Sequence, residues 1–221
     1  MTERVPTKPL PDVIAPRLDI LFCGINPSLM SAARGHHFAR PGNRFWPALH
    51  LAGLTPRRLT PEEDGDLLEY GIGVTNIVAR PTRAAAELSA AELREGAAAL
   101  DEVVARYRPR VLAVLGITAW RTAFDRPKAA LGRQPERVGG AETWVAPNPS
   151  GLNAHHQLPD LARAYAELRP GHEGDSAGVR RNHSASMPVT TNSPPASRTT
   201  PGQPASDHAW PVRLPKIEEP R

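Results

Sequence analysis

The chain has 221 residues, 40% of them hydrophobic, with a formal net charge of +4 and a single cysteine. That length suits one domain with a tail better than two full domains. One thiol excludes an internal disulfide framework or a cysteine-ligated cluster, and makes a reducing, cytoplasmic setting the default. The mild basic excess is compatible with a polyanionic partner without identifying one. No apolar run has the form of a signal peptide or the roughly 20-residue length of a membrane span.

In chain order, residues 1–16 are broken by Pro6, Pro9, Pro11 and Pro16 and read as a flexible arm. Residues 19–23 form a short β-prone run stopped by Gly24. Residues 43–52 place Phe45, Leu49 and Ala52 on one helical face. Residues 73–77 read as a second strand. Ser89 with Glu92 makes a capping-box pattern that opens a long helix to about Tyr107, where Pro109 stops it. Residues 110–115, apolar on both faces and closed by Gly116, read as a fully buried parallel strand. A helix over 117–124, a strand over 143–146 and a helix over 158–168 complete the set. From Gly171 to Arg221 the composition turns to Gly, Ser, Pro, Thr, Asn and Arg without an apolar period, so 171–221 is expected as a disordered tail. Residues 17–170 are the expected domain. Strands alternating with helices argue an α/β domain with a mainly parallel sheet and helices on both faces, whose ligands bind beyond the carboxyl ends of the strands.

Two segments follow strands directly. The first holds Gly24-Ile25-Asn26-Pro27, then Gly35-His36-His37-Phe38 and Pro41-Gly42-Asn43-Arg44-Phe45-Trp46. Asn-Pro alone reads as a turn, and the adjacent histidines lack metal-ligand spacing. The second, Asn148-Pro149-Ser150-Gly151-Leu152, alone reads as a proline-rich turn before the last helix. Gly116-Ile117-Thr118 is either an ordinary strand-to-helix turn or a set of amides on which an anion docks.

Together and in order, these motifs resemble the mismatch-specific uracil/thymine-DNA glycosylases of the uracil-DNA glycosylase superfamily. The resemblance runs from about residue 20 to 168 and takes in Gly73-Val74-Thr75-Asn76, Arg80-Pro81-Thr82 and Leu115-Gly116. It implies a three-layer α/β/α sandwich and a monofunctional enzyme that hydrolyses the N-glycosidic bond of uracil in G·U- or G·T-type mismatches. Thymine and ethenocytosine are open as further substrates. It also implies double-stranded DNA with a mismatched or damaged base as partner, a monomer, and neither cofactor nor metal.

By the same resemblance Asn26 is catalytic. Cleavage passes through an oxocarbenium-like sugar and a departing anionic base, and an Asn oxygen can orient the attacking water. A neutral amide is a weak base, so the enzyme should be slow and favour bases that leave readily. The backbone N–H groups of Ile25 and Phe38 are implied donors to the base, and Phe38 also stacks on it; Ser31 and His37 line its pocket. Arg44 is open as a phosphate contact. Leu152, on a loop shaped by Asn148, Ser150 and Gly151, is the implied wedge that fills the stack when a base is extruded, and Ser150 is open as a phosphate contact. Some family members carry an arginine shortly after this leucine; here the run is Asn153-Ala154-His155-His156, where Ala154 cannot supply that contact and His155 is open as a substitute. Preference for guanine opposite the base is therefore open.

Branches that place a carboxylate in the catalytic loop need an acidic residue near Asn26, which is absent. A nucleotide-binding protein needs G-x-G-x-x-G or G-x-x-x-x-G-K-[ST], and neither motif occurs; the G-x-S-x-G that an α/β hydrolase needs occurs only as Gly174-Asp175-Ser176-Ala177-Gly178, in the expected tail and not at a strand-to-helix turn. The remaining alternative is a catalytically weak damaged-DNA-binding module of the same fold.

Overall fold

A computed structural model describes residues 9–169. The expected 171–221 tail and the first eight residues of the expected arm lie outside them. Five strands form one sheet in the order β2-β1-β3-β5-β4, with β1 Ile20–Gly24, β2 Ile72–Asn76, β3 Val111–Leu115, β4 Gly132–Val138 and β5 Ala141–Ala146. β1, β2, β3 and β5 run parallel, and β4 joins the edge antiparallel to β5.

Helices cover both faces because the central strands are apolar on both. Val111, Ala113 and Leu115 of β3 pack into one core with α2 (Phe45–Leu51) and α5 (Leu158–Ala166). Leu112 and Val114 point the other way, into a second core with α3 (Ala90–Tyr107) and α4 (Ile117–Ala123). β1 divides likewise: Ile20 and Phe22 to the first core, Leu21 and Cys23 to the second. Two-sided burial is the condition under which parallel sheets persist. The chain is therefore an α/β protein with a mainly parallel central sheet. None of the described helices is long and apolar enough to cross a membrane.

The expected capping box is present: the Ser89 hydroxyl accepts from Glu92 N at 3.1 Å while the Glu92 carboxylate accepts from Ser89 N at 2.9 Å. Four elements were not expected: the 3-10 helices Pro61–Tyr70 and Ala85–Glu87, and two that bear on the sheet edge and the site. β4 (GRQPERV) is polar and contains Pro135, features that argue against a central strand; an edge strand tolerates both, since its outer backbone pairs with nothing. The short α1 (Leu29–Arg34) sits inside the segment read as loop, capped by the Ser28 hydroxyl and ended by Gly35 at φ 77°.

The described part of the expected arm is docked. Val13 pairs with Val74 through two hydrogen bonds, at 2.9 and 2.8 Å, and Leu10 is buried. The prolines that made this stretch read as irregular do not prevent it from adding one bridge to β2.

Candidate active site

Four loops converge on one cleft at the carboxyl ends of β1, β2, β3 and β5. The loop after β1 is splinted to the loop after β2 along its length. Ile77 N donates to Gly24 O at 2.9 Å, Val78 N to Ile25 O at 3.0 Å, Thr82 N to Pro27 O at 3.1 Å and Leu29 N to Thr82 O at 3.2 Å. These rungs prolong the strand pairing past the sheet, so Asn26 sits on a stiff support rather than a free turn.

The Asn26 side chain has a defined orientation. Its Nδ2 donates to Arg80 O at 2.8 Å and to Thr82 Oγ1 at 2.7 Å. Arg80 O is a carbonyl and can only accept, and the Thr82 hydroxyl spends its own proton on Ala84 O at 2.9 Å. Both partners therefore demand the NH2 group on their side. The Oδ1 acceptor is left for the cleft, which Asn26 lines. Gly24 keeps this corner open: a Cβ there would lie 2.6 Å from Asn76 Oδ1.

Ile25 and Phe38 also line the cleft, and among the described residues neither backbone N–H donates a hydrogen bond. Phe38 has φ 53°, a left-handed conformation that is uncommon for a bulky residue. Its ring stacks on Phe45 with centroids 4.0 Å apart and planes 26° apart. Phe45 is in turn held edge-on by Phe22 at 5.3 Å. One face of Phe38 is thus anchored to the core.

Ser31 and His37 are buried and line the same cleft. The Ser31 hydroxyl oxygen accepts from Ala39 N at 3.1 Å and from Ser28 Oγ at 3.0 Å, tying α1 to the loop that carries Phe38. His37 Nε2 donates to Pro11 O at 2.9 Å and His37 N donates to Asp64 Oδ2 at 2.9 Å. Burial holds the His37 pKa below the usual 6.5, outweighing the opposing pull of Pro11 O and Asp64. The ring is therefore neutral near pH 7, with its proton on Nε2.

The loop after β5 is self-braced. Asn148 Oδ1 accepts from Ser150 N at 2.9 Å, Ser150 Oγ from Leu152 N at 3.3 Å, and Asn148 O from Asn153 Nδ2 at 3.0 Å. Gly151 lies against the loop before α2, where a Cβ would meet Gly42 O at 2.8 Å. At the apex Leu152 is 73% exposed, the most exposed large hydrophobic side chain among the described residues. Asn148, Ser150 and Leu152 line the cleft; Gly151 supports the loop from behind.

The reading of Arg44 as a phosphate contact is corrected here. Its guanidinium is turned inward: Nη1 donates to His156 O at 2.7 Å, and Nη2 to Ser150 O at 2.6 Å and Asn153 O at 2.9 Å. It staples the two ends of the 148–156 loop, since three carbonyls converging on one spot need a planar multi-donor group. Of the amides at 116–118, that of Gly116 is spent on Ala146 O at 2.9 Å and is not open to an anion.

Sequence reasoning missed Thr82 as the partner of Asn26, and Leu10, Asn76, Arg40 and Arg83 as lining residues. Arg80-Pro81-Thr82 was visible only as a motif. Nothing local in the sequence says that Leu10, sixteen positions before Asn26, folds back beside it.

The fold is similar to a solution NMR structure of a candidate uracil DNA glycosylase from Methanosarcina acetivorans. The two are 20% identical over 73% of this chain and 97% of that one, with a TM-score of 0.49. The family model described as the uracil DNA glycosylase superfamily matches residues 11–169, which include both cores and every cleft loop described above. The chain belongs to the uracil DNA glycosylase superfamily.

Proposed function

We propose that the protein is a monofunctional DNA glycosylase that removes uracil from G·U pairs in double-stranded DNA, with thymine in G·T pairs and ethenocytosine as further substrates. The observation that carries this reading is the fixed carboxamide of Asn26. Its NH2 is consumed by Arg80 O and Thr82 Oγ1, so Oδ1 is presented to a cleft that no carboxylate lines among the described residues.

Oδ1 accepts a hydrogen bond from a water and aims its oxygen at C1′ of the extruded nucleotide. The C1′–N1 bond breaks with its electron pair leaving on the base. The sugar gains cationic character, the water oxygen adds to C1′, and its surplus proton goes to solvent or to the departing base. The products are free uracil and an abasic site, with no strand cleavage. A neutral amide stabilises the sugar cation less than a carboxylate does, so bases that leave easily are favoured.

The unspent N–H groups of Ile25 and Phe38 are the donors that would accept the charge growing on the base. The free face of Phe38 is a platform on which the base stacks. Extrusion empties a position in the helix, and Leu152 is an exposed apolar side chain on a braced loop suited to fill it. Ala154 offers no side-chain hydrogen bond to the opposite strand, and a base in a weakly paired mismatch costs less to extrude.

The test is a duplex with one G·U pair, assayed for free base and for alkali-labile abasic sites. Release of uracil by the wild type and its loss in Asn26→Ala with duplex binding retained is the expected pair of results. Binding without release in both proteins would leave the damaged-DNA-binding module as the correct reading.

A further inference from the structure

Leu10 is buried, yet it belongs to neither hydrophobic core. It lines the cleft instead, in company with Ser31, His37, Phe38 and Asn76. A leucine set apart from both cores adds nothing to their packing, and its place in the cleft needs another account.

The pairing of the arm shows how Leu10 arrives there. Val13 and Val74 form an antiparallel bridge on the outer side of β2, the edge strand whose other side pairs with β1. Antiparallel registers run in opposite directions, so Asp12 is level with Thr75, Pro11 with Asn76 and Leu10 with the residue that follows β2. Asp12 does stand beside Thr75. Backward from the bridge, the arm therefore leads to the carboxyl end of β2, where the cleft opens. Leu10 is tied down at two points. Three residues on are the two hydrogen bonds of the bridge, and one residue on Pro11 O accepts from His37 Nε2 at 2.9 Å. His37 is itself fixed, its N–H donating to Asp64 Oδ2.

We infer that Leu10 is a specificity-determining residue, an apolar wall of the base pocket whose bulk limits the size of the base admitted. This rests on the glycosylase reading for the identity of the guest. A leucine side chain neither donates nor accepts hydrogen bonds, so it cannot read the polar edge of a base; it excludes volume and water. Its neighbours cannot move aside to admit a larger guest. The Ser31 hydroxyl holds Ala39 N, the His37 ring holds Pro11 O, and Phe38 is stacked on Phe45. A wall in such fixed surroundings discriminates by fit, and one methylene too many or too few in an apolar pocket changes selectivity by tenfold or more. The arm is thus part of the pocket and not only an addition to the sheet edge.

The experiment uses the full chain as wild type, Leu10→Ala, Leu10→Met and Leu10→Phe. Single-turnover release at saturating enzyme is measured on three duplexes with uracil, thymine or ethenocytosine opposite guanine. Anisotropy gives the affinity for the same three duplexes with a 2′-fluorine on the target nucleotide, which disfavours the sugar cation and prevents cleavage. Leu10→Ala should raise the ratio of ethenocytosine to uracil, the bulkiest guest against the smallest, by about tenfold in release and in affinity, with a smaller rise for thymine. Leu10→Phe should lower both ratios, and the volume-conserving Leu10→Met should keep them within about twofold of wild type. A leucine that only steadies the fold would lower the melting temperature and change all three bases by one factor, and unchanged ratios in Leu10→Ala and Leu10→Phe would overturn the inference. A wild type that binds these duplexes but frees no base defeats the glycosylase reading, while the affinity ratios still decide the role of Leu10.

Discussion

Asn26 illustrates how a neutral side chain acquires direction. An amide can present either of two chemically opposite ends, and here two partners that can only receive its protons remove the choice. Thr82→Val deletes one of them and leaves Arg80 O. Losing a hydrogen bond of this kind costs about 1 kcal/mol, so saturated single-turnover release should slow by about fivefold with duplex affinity intact. An unaltered rate would show that Arg80 O alone orients the amide. His37 makes a different, pH-linked prediction. Its folded pKa is below the unfolded value, so the unfolded chain binds more protons as pH falls past about 6.5. Its contribution is complete above that pH and is lost on acidification, which lowers the melting temperature. His37→Gln should flatten the melting profile between pH 7 and 5; a slope identical to wild type would assign the acid sensitivity elsewhere.

At the scale of elements, the 148–156 loop works only if its apex is held out. Arg44 closes the loop at both ends, and Gly151 lets it press on Gly42. Arg44→Ala leaves three carbonyls without their donor and should cost about 1.5–3 kcal/mol in stability. It should also lower release from duplex more than from single strands, because only a duplex has a stack to fill. Leu152→Ala should give the same duplex-selective loss without the fall in melting temperature, the side chain being exposed. Equal losses on both substrates would mean that Leu152 is not a wedge.

The elements were unevenly legible in the sequence. β3 could be read because each of its residues is apolar, and α3 because its cap and period agree. β4 could not, because Arg133, Pro135 and Glu136 describe an edge strand in the same letters as a loop. Arg44 was misread for a related reason: an arginine beside a candidate DNA site looks phosphate-facing unless the three carbonyls that capture it are seen.

The whole molecule sets two cores on either side of one sheet and leaves its carboxyl edge to the cleft loops. Both cores and the cleft lie within 9–169, so a chain ending at Pro170 should melt cooperatively and keep its activity; loss of either would assign residues 171–221 a part in the domain. The positions of Asn26, Ile25, Phe38 and Leu152 in one cleft could be anticipated, since each follows a strand or lies in a motif that does. The contributions of Leu10 and Thr82 depend on contacts between distant segments, for which a single sequence carries no local signal.

The central claim is that this cleft hydrolyses a glycosidic bond with Asn26 directing the water. The most direct measurement is single-turnover release of free uracil from a G·U duplex by wild type and Asn26→Ala at saturating enzyme. Release by the wild type, a loss of at least a hundredfold in the variant, on the scale of removing a key transition-state contact, and equal duplex affinity are expected. Equal release by the two proteins would contradict the account.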